Sequence, residues 1–350
     1  MFPVRLPQLD SIAAERAVQR LDQLTKPPGS LGRLERLAVE LAAIQGQSIP
    51  RVAPPAMLVF AADHGVAAEG VSAFPQAVTA QMVANFTAGG AAINVFAQQH
   101  AAHLEVIDVG VATPLPEAVA RHPLLVNEKV RAGTANMLED DVMTRDDALQ
   151  AMAAGERAAQ RAAAAGCRCL IIGEMGIANT TASSALLAAL TGRPVARLVG
   201  VGTGIDSGGV AHKQAVIERA LDARQPDPDD PLGALAAVGG LEIAAMAGAF
   251  LGGAKQRLPL LVDGFIATVA ALVARRLCPG LREYLIFGHR SREPGHELAL
   301  QALDARPLLD FELRLGEGTG AALAFPLLDS ACRLLEGMAT FGDAGIDTSS

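Results

Sequence analysis

The sequence has few aromatic residues and no excess of positive charge. It contains no Trp and one Tyr among 350 residues, and its 37 Asp and Glu outnumber its 29 Lys and Arg, giving a net charge of -8. Nucleic-acid backbones are bound through basic surfaces, so this balance and the lack of a basic tract argue against a nucleic-acid partner. An anionic small molecule would have to find a local positive site.

Long unbroken apolar segments are also missing. The two most apolar stretches, 234–254 and 258–274, contain Glu242 and Asp263 and are rich in glycine, which is unlike a membrane span. No N-terminal segment has the charged-then-apolar pattern of a secretion signal. We therefore expect a cytoplasmic chain that has no membrane partner.

Cysteine and histidine are too sparse to indicate a metal site. Of the four cysteines, only Cys167 and Cys169 lie close together, and this C-x-C pair could form half of a metal site. The favoured interpretation is that they are small buried apolar residues in a reducing cytoplasm. His64, His289 and His296 lack a further ligand at a suitable spacing, so the sequence predicts no metal.

Half of the residues are apolar, and five short apolar runs follow one pattern. Each has four to six Val, Ile, Leu or Phe residues without polar alternation and ends in a charged residue or histidine beside glycine. Such runs predict strands that are buried on both faces, and the helical patterns between them supply the crossovers of a parallel sheet. The runs are AMLVFAADHG, HLEVIDVG, CLIIGEMG, PLLVDG and EYLIFGH. The predicted class is α/β.

The polar residues at the ends of these runs predict a binding site. The carboxyl ends of parallel strands meet at one edge of a sheet, which is where ligands bind in such folds. Five strand ends with polar side chains at one edge therefore indicate a site. The residues are Asp63 with His64, Asp108, Glu174, Asp263 and His289.

Both ends of the chain have a different, helical pattern. Two amphipathic helices are predicted within residues 1–50, joined by a rigid Pro27-Pro28-Gly29 turn with Ser30 as an N-cap. A further apolar helix near the C-terminus is expected to be interrupted by Pro326. We expect residues 1–50 and 320–350 to form a small helical domain and residues 51–319 to form a large α/β domain that carries the active site.

Two glycine clusters, 200–209 and 316–320, do not match nucleotide-binding fingerprints. Neither has the third glycine of G-x-G-x-x-G, and neither is followed by Lys-Ser/Thr at the spacing of a P-loop. Their backbones can still present several N–H groups to an anion. With Lys213, Arg290, Ser291 and Arg292, the Gly202-Thr203-Gly204 loop could form a phosphate cradle. A tight loop with solvated basic residues nearby is the alternative.

Glu174 and Glu317 each precede a predicted helix and follow or lie within a glycine turn. An acid at a helix N-terminus is favoured by the helix dipole, so both can be explained without a function. For the helix after Glu174, the predicted cap is Asn179, Thr180 or Thr181. The alternative is that the two glutamates face one cavity.

Nine segments together resemble one family, the nicotinate-nucleotide:dimethylbenzimidazole phosphoribosyltransferases. They occur in order between residues 26 and 324, so the resemblance covers most of the chain. One departure is that Asp141-Val142 stands where relatives commonly have Pro-Ala. The segments are KPPGSLGRLE, ADHGV, FPQAVTAQMVANFTAGGAAINVFA, GTANM, GEMGIANTT, GTGID, DGFI, GHRSREPGH and RLGEGTGAALA.

The resemblance implies a Rossmann-like large domain, a small helical domain built from both termini, and a homodimer. It implies transfer of the phosphoribosyl group of nicotinate mononucleotide to 5,6-dimethylbenzimidazole, with inversion at the anomeric carbon and release of nicotinate. Those two small molecules would be the substrates, and neither cofactor nor metal would be needed.

The resemblance also implies roles for particular residues. Glu317 would be the general base, and Glu174 would lie beside the bound nucleotide. The phosphate and ribose contacts would be Gly176, Gly202, Thr203, Gly204, Lys213, Asp263 and Ser291. The wall around the base would be Phe74, Gln81, Met175 and Leu315.

Two other functions fit parts of the sequence. A nucleotide-binding sensor on an α/β scaffold could use the same anion cradle without turnover, because fold alone does not determine activity. An NAD(P)-dependent oxidoreductase is disfavoured by the glycine spacing and by the missing acid about 20 residues further on.

Overall fold

The computed structural model describes residues 5–347, and its centre is a six-stranded parallel sheet in the order β3-β2-β1-β4-β5-β6. Every neighbouring pair of strands is parallel. This confirms the predicted α/β class, and the strand order is that of a Rossmann fold. The strands are β1 Pro55–Ala62, β2 His103–Gly110, β3 Leu125–Asn127, β4 Cys169–Met175, β5 Leu260–Val262 and β6 Leu285–Phe287.

Helices fill most of the chain between and around the strands. Within residues 5–347, no helix is both long and apolar enough to cross a membrane. The helices are α1 Ser11–Gln23, α2 Arg33–Gln45, α3 Val78–Thr87, α4 Ala92–Gln99, α5 Glu117–Ala120, α6 Arg145–Ala164, α7 Asn179–Thr191, α8 Ser207–Arg224, α9 Pro231–Val238, α10 Leu241–Lys255, α11 Phe265–Leu277, α12 Pro294–Ala302, α13 Thr319–Gly337 and α14 Phe341–Ala344.

The unalternated strands are buried on both faces, as their sequences predicted. In β1, Leu58 and Phe60 belong to one apolar cluster, whereas Met57 and Val59 belong to a second. Successive side chains of a strand point to opposite faces, so each face of the sheet has its own core. Residues of α6, α7, α10 and α11 contribute to the first cluster, and residues of α1, α2, α4 and α13 contribute to the second.

The terminal helices pack together against the second face of the sheet. The Arg20 guanidinium of α1 donates to the carbonyls of Leu335, in α13, and of Met338. The predicted helices at both ends are present. The division into 1–50 plus 320–350 and 51–319 stays a prediction. The terminal helices share one apolar cluster with the sheet. Residues 1–4 and 348–350 of that division lie outside the described residues.

Two local predictions about these helices are wrong. Ser30 is not a cap: its N–H bonds to Pro27 O and that of Gly32 to Gly29 O, so the turn continues and α2 begins only after Gly32, its N-cap. Pro326 does not interrupt the C-terminal helix, because α13 continues through it to Gly337.

Candidate active site

A cavity of about 450 Å³ opens at the carboxyl edge of the sheet. Its size is in the range of small-molecule sites. The order of strands reverses between β1 and β4, and crevices at such a reversal are where ligands bind in this architecture. The end of β4, the segments after β5 and β6, the turn before α13 and one side of α3 all contribute to the lining.

Glu317 lies in this cavity in an uncommon backbone conformation. Its φ is +62°, between Gly316 at +89° and Gly318 at +86°, so three successive residues are left-handed. The residue is 5% exposed, and its Oε2 accepts from the Ile93 N–H at 3.4 Å. Burial raises the pKa of Glu317, the Ile93 hydrogen bond lowers it, and the charge of Asp263 raises it further. The carboxylate is held inside the protein and is not a solvated turn residue.

Glu174, at the end of β4, faces the same cavity. Its Oε2 accepts from Asn179 Nδ2, and its Oε1 lies so close to Gly316 that a Cβ there would collide with it. Burial raises the pKa of Glu174 to about 8, and the charges of Glu242, Asp263 and Glu317 contribute. Like charges cannot share a dry site without one of them taking a proton. Glu174 is therefore mostly neutral at pH 7.

Asn179 and Thr180 serve the cavity instead of capping the helix that follows. The N-cap of α7 is Ala178, with φ +75° and no side-chain hydrogen bond. The prediction of a cap at Asn179, Thr180 or Thr181 is wrong, because the helix begins with residue 179 and two of these side chains have other partners. Asn179 binds Glu174, and the Thr180 hydroxyl accepts from Lys213 Nζ at 2.7 Å.

The residues predicted to bind phosphate and ribose are partly brought together. Gly176, Gly202, Thr203, Asp263 and Ser291 line the cavity, whereas Gly204 and Lys213 do not. Lys213 is 1% exposed and lies behind the lining on α8. Burial lowers its pKa to about 8, and the charge of Glu293 opposes that shift.

A carboxylate occupies part of the predicted anion cradle. Glu293 Oε1 accepts from the Gly202 N–H at 3.1 Å, and Glu293 Oε2 has no hydrogen-bond partner although the residue is 6% exposed. The Thr203 hydroxyl is held by Ala73 N–H at 2.9 Å and Ser72 Oγ at 3.0 Å. The polar groups of the predicted cradle are thus already hydrogen-bonded within the protein, and the Glu293 carboxylate supplies a negative charge that acts on Lys213.

Three of the four residues predicted to surround a base line the cavity. Phe74, Met175 and Leu315 do so, and Phe74 and Leu315 are 52% and 60% exposed. Gln81 is exposed and lies outside the lining, while Val78 and Met82 of the same helix α3 are within it. One residue further along an α-helix is a rotation of about 100°, so Gln81 and its neighbour Met82 point in different directions.

The strand-end prediction holds for three of the five ends. Glu174, Asp263 and His289 line the cavity, but Asp63, His64 and Asp108 do not. His64 Nε2 lies 2.7 Å from Glu242 Oε1 in a fully buried pair. Asp108 Oδ1 accepts from the N–H groups of Gly110 and Val111. Glu242 thus holds His64 after β1, and Asp108 holds the backbone at the end of β2.

Sequence reasoning missed several residues of the site. Glu242 drew attention only as a charge within an apolar stretch, and Glu293 only as a letter of GHRSREPGH. The available signal was a nearby glycine pair or turn: Glu242 follows Gly239-Gly240-Leu241, and Glu293 precedes Pro294-Gly295. Glu293 lines the cavity and Glu242 does not, and further lining residues that were missed include Val78, Met82, Thr180 and Arg314.

The four cysteines are buried, which confirms the apolar interpretation of Cys167 and Cys169 as far as their burial goes. Among residues 5–347, no group of three or more His, Cys, Asp or Glu side chains converges in a way that could hold a metal ion.

Comparisons with known proteins agree with one another. A family model described as phosphoribosyltransferase matches residues 6–346. Nicotinate-nucleotide–dimethylbenzimidazole phosphoribosyltransferases of Chloroflexus aggregans and Azotobacter vinelandii are 54% and 55% identical, over 97% of this chain and 95% of each relative. The crystal structure of CobT from Thermus thermophilus superposes with a TM-score of 0.91 at 51% identity, covering 97% of this chain and 100% of that one.

Proposed function

Because the chain belongs to the nicotinate-nucleotide–dimethylbenzimidazole phosphoribosyltransferase family, we propose that it transfers the phosphoribosyl group of nicotinate mononucleotide to 5,6-dimethylbenzimidazole. The products are α-ribazole 5'-phosphate and nicotinate, formed with inversion at the anomeric carbon. Family membership makes the chain a pentosyltransferase. The observation that carries the proposal is the buried Glu317 carboxylate, presented to the cavity by a left-handed glycine turn.

The leaving group suits a site that relies on carboxylates. In nicotinate mononucleotide the departing nitrogen belongs to a pyridinium ring, so breaking the glycosidic bond discharges that ring. The ribose becomes oxocarbenium-like as the bond breaks. A nearby carboxylate stabilises that developing positive charge more in the transition state than in the ground state.

Glu317 is the proposed general base. The attacking nitrogen of dimethylbenzimidazole is neutral, and the N–H on the other ring nitrogen becomes acidic as the new bond forms. A carboxylate within about 3 Å can accept that proton, which contributes on the order of 10²- to 10⁴-fold to the rate. Burial raises the pKa of Glu317, and a carboxylate with a raised pKa is a stronger base. The flanking glycines let Glu174 and β4 lie close to the backbone of this turn.

Glu174 has the complementary role. Its pKa is raised to about 8, so it keeps its proton at pH 7 and does not add a second negative charge beside Glu317. As a neutral acid bound to Asn179, it can donate a hydrogen bond to the nucleotide.

The glycine loop and Lys213 are the proposed phosphate site, with Gly176, Gly204 and Ser291 around the ribose and phosphate. In the structure, Gly202 N–H is bound to Glu293 and Lys213 Nζ to Thr180. A phosphate would take over these donors as it enters. Phe74, Met175 and Leu315, with Gln81 at the rim, form the proposed slot for the base.

We also propose that the chain works as a homodimer in the cytoplasm. Phe74 and Leu315 line the cavity and remain exposed, as does Phe311, and exposed large apolar side chains are typical of a surface that another chain covers. Cys167, Cys169 and Cys332 are buried free thiols, which suits a reducing compartment.

The direct test incubates the purified protein with nicotinate mononucleotide and dimethylbenzimidazole, without added metal. Chromatography should show equal amounts of nicotinate and α-ribazole phosphate accumulating with time. Binding of the nucleotide without any nicotinate release would contradict the proposed reaction and favour a nucleotide-binding sensor.

Glu317→Gln separates catalysis from binding. We expect kcat to fall on the order of 10²- to 10⁴-fold while KM for nicotinate mononucleotide stays within about threefold, because the amide cannot accept the proton. The matched control is Glu312→Gln: Glu312 is also left-handed, at φ +56°, but it is exposed and paired with Arg292. A Glu317→Gln loss below about threefold would remove the general-base role.

A further inference from the structure

The turn that carries Glu317 needs external support. Glu317 is a non-glycine residue at φ +62°, and the left-handed conformation costs about 1–2 kcal/mol for such a residue. Its only side-chain hydrogen bond among the described residues is from Ile93 N–H at 3.4 Å, which is long. The position of this carboxylate must therefore be set mainly by how its backbone is held.

Asp263 holds the backbone on the helix side of the turn. Its Oδ2 accepts from Gly318 N–H at 3.2 Å, and its Oδ1 accepts from Ala321 N–H at 2.9 Å. Gly318 is the N-cap of α13 and has no side chain to satisfy these donors. A carboxylate placed there from the end of β5 supplies both the missing acceptor and the charge that favours a helix N-terminus.

His289 supports Asp263 from the end of the next strand. Its Nε2 lies 3.4 Å from Asp263 Oδ1, and both side chains are 3% exposed. The His289 ring also packs on the first turn of α13, where a Cβ at Gly320 would collide with it. The ring thus contacts both the capping carboxylate and the backbone that the carboxylate caps.

The strand side of the turn is held by close backbone contact. A Cβ at Gly173 in β4 would collide with the carbonyl of Glu317 and the nitrogen of Gly318. The turn is therefore pressed against β4 on one side and tied to Asp263 on the other. In this arrangement, moving Asp263 moves residue 318, and with it the adjacent Glu317.

We propose that Asp263 and His289 are positioning residues that set the place of the Glu317 carboxylate through the backbone of residues 318 to 321. The proposal rests on the general-base role of Glu317. It assigns to Asp263 the support of this backbone through its two hydrogen bonds, in place of the ribose contact that the resemblance implied. Asp263→Asn leaves one oxygen to accept and places an NH₂ group against a backbone N–H.

A double-mutant cycle tests this. Asp263→Asn alone should lower kcat by about 10- to 10²-fold with KM for nicotinate mononucleotide within about threefold, since small displacements of a catalytic group have effects of that size. In the Glu317→Gln background, the same change should lower kcat by less than about threefold, because there is no longer a base to misplace.

The matched control is Asp108→Asn. Asp108 is also a buried carboxylate at a strand end that accepts from two backbone N–H groups, those of Gly110 and Val111, but it lies outside the cavity. Asp108→Asn should lower kcat only slightly, and by the same factor in the unmodified chain and in the Glu317→Gln variant. Thermal unfolding of Asp263→Asn and Asp108→Asn measures how much stability each variant loses when its buried carboxylate is replaced.

A His289 pair keeps the test available if Asp263→Asn does not fold. His289→Gln retains a donor toward Asp263 and should keep kcat within about threefold, while His289→Phe should lower it about as much as Asp263→Asn. Equal kcat losses with and without Glu317, or a rise in KM above about tenfold at unchanged kcat, would overturn the proposal and make Asp263 a substrate contact. A Glu317→Gln variant with unchanged kcat would instead remove the general-base role itself.

Discussion

Glu174 shows how the environment of one residue sets its charge. Its carboxyl group lies 6% exposed among Glu242, Asp263 and Glu317, with the amide of Asn179 as its one hydrogen-bond donor. Removing a carboxylate from water and surrounding it with others disfavours ionisation, and the pKa rises to about 8. The two glutamates of the site can therefore hold different charges in one cavity at the same pH.

The raised pKa predicts how stability changes with pH. The folded protein keeps the Glu174 proton up to about 8, whereas the unfolded chain releases it near the ordinary value of 4.5. Between these values the folded state binds more protons, so this group's contribution to the free energy of unfolding is largest below about 4.5 and decreases as pH rises toward 8. Glu174→Gln, which mimics the neutral acid, lacks that decrease.

We therefore expect the free energy of unfolding of Glu174→Gln, relative to the unmodified chain, to grow by about 1.4 kcal/mol per pH unit inside this window. Urea unfolding at about pH 5.5 and about pH 7.5 measures the difference. A relative stability that does not change between these two pH values would mean that Glu174 is ionised throughout.

The sequence located the two glutamates and Asp263, but not Glu242 and Glu293. Glu174 and Glu317 stand beside glycines at a strand end and before a helix, and both features are local. Glu242 lies in the first turn of α10, and its charge acts on Glu174. Glu293 precedes α12 and accepts a hydrogen bond from Gly202 N–H. Both interactions arise only from the tertiary fold. Charge partners that depend on distant elements leave no pattern in the residues around them.

At the scale of elements, runs of apolar residues were the most informative signal. The five predicted strands are present because burial on both faces selects unbroken Val, Ile, Leu and Phe. The sixth, Leu125–Asn127, was missed because its apolar run ends in Asn127 without the charged residue or histidine beside glycine that follows the other five runs. The errors at Ser30 and Pro326 arose because neighbouring turns and helix packing overrode local preferences.

Helices α6 and α10 approach each other closely at two glycines. A Cβ at Gly155 would collide with Ala245 O, and one at Gly248 would collide with Met152 O. Glycine at both positions lets the two helices pack directly against each other over the first apolar cluster. Neither neighbour is a flexible side chain that could move aside.

Gly248→Ala should therefore lower the free energy of unfolding by about 1–3 kcal/mol, because the helices must separate to admit the methyl group. Gly337→Ala is the matched control, since a Cβ there meets no atom within 4 Å at the end of α13. Its stability should be unchanged or raised by up to about 1 kcal/mol. Chemical denaturation of both variants measures the effect, and equal stabilities would show that α6 and α10 can adjust freely.

At the scale of the whole molecule, the terminal helices form a layer on the sheet. Their apolar residues belong to the same cluster as Met57, Val59 and Ile171 of the strands. The sequence predicted that the two ends would contact each other, because one carries amphipathic helices and the other an apolar helix. Whether they also share a core with the sheet depends on three-dimensional packing, which amphipathicity alone does not specify.

A shared core predicts one cooperative unfolding transition. The chain has no Trp and a single Tyr, Tyr284, whose hydroxyl donates to Pro7 O at 2.7 Å. Tyrosine fluorescence therefore reports the contact between the N-terminal segment and the chain just before β6, while far-UV circular dichroism reports all the helices. Because the terminal helices and the sheet bury one apolar cluster, we expect the fluorescence and the circular dichroism to change at the same urea concentration.

The alternative is a small domain that unfolds independently, as the division into 1–50 plus 320–350 and 51–319 would allow. In that case the tyrosine signal would change at a lower urea concentration than the circular dichroism, which would show a second step. Tyr284→Phe is the control, since it removes the fluorescence and the bond to Pro7 while keeping the buried ring. Its circular dichroism transition should keep its single-step form, because the apolar cluster that couples the terminal helices to the sheet is unchanged.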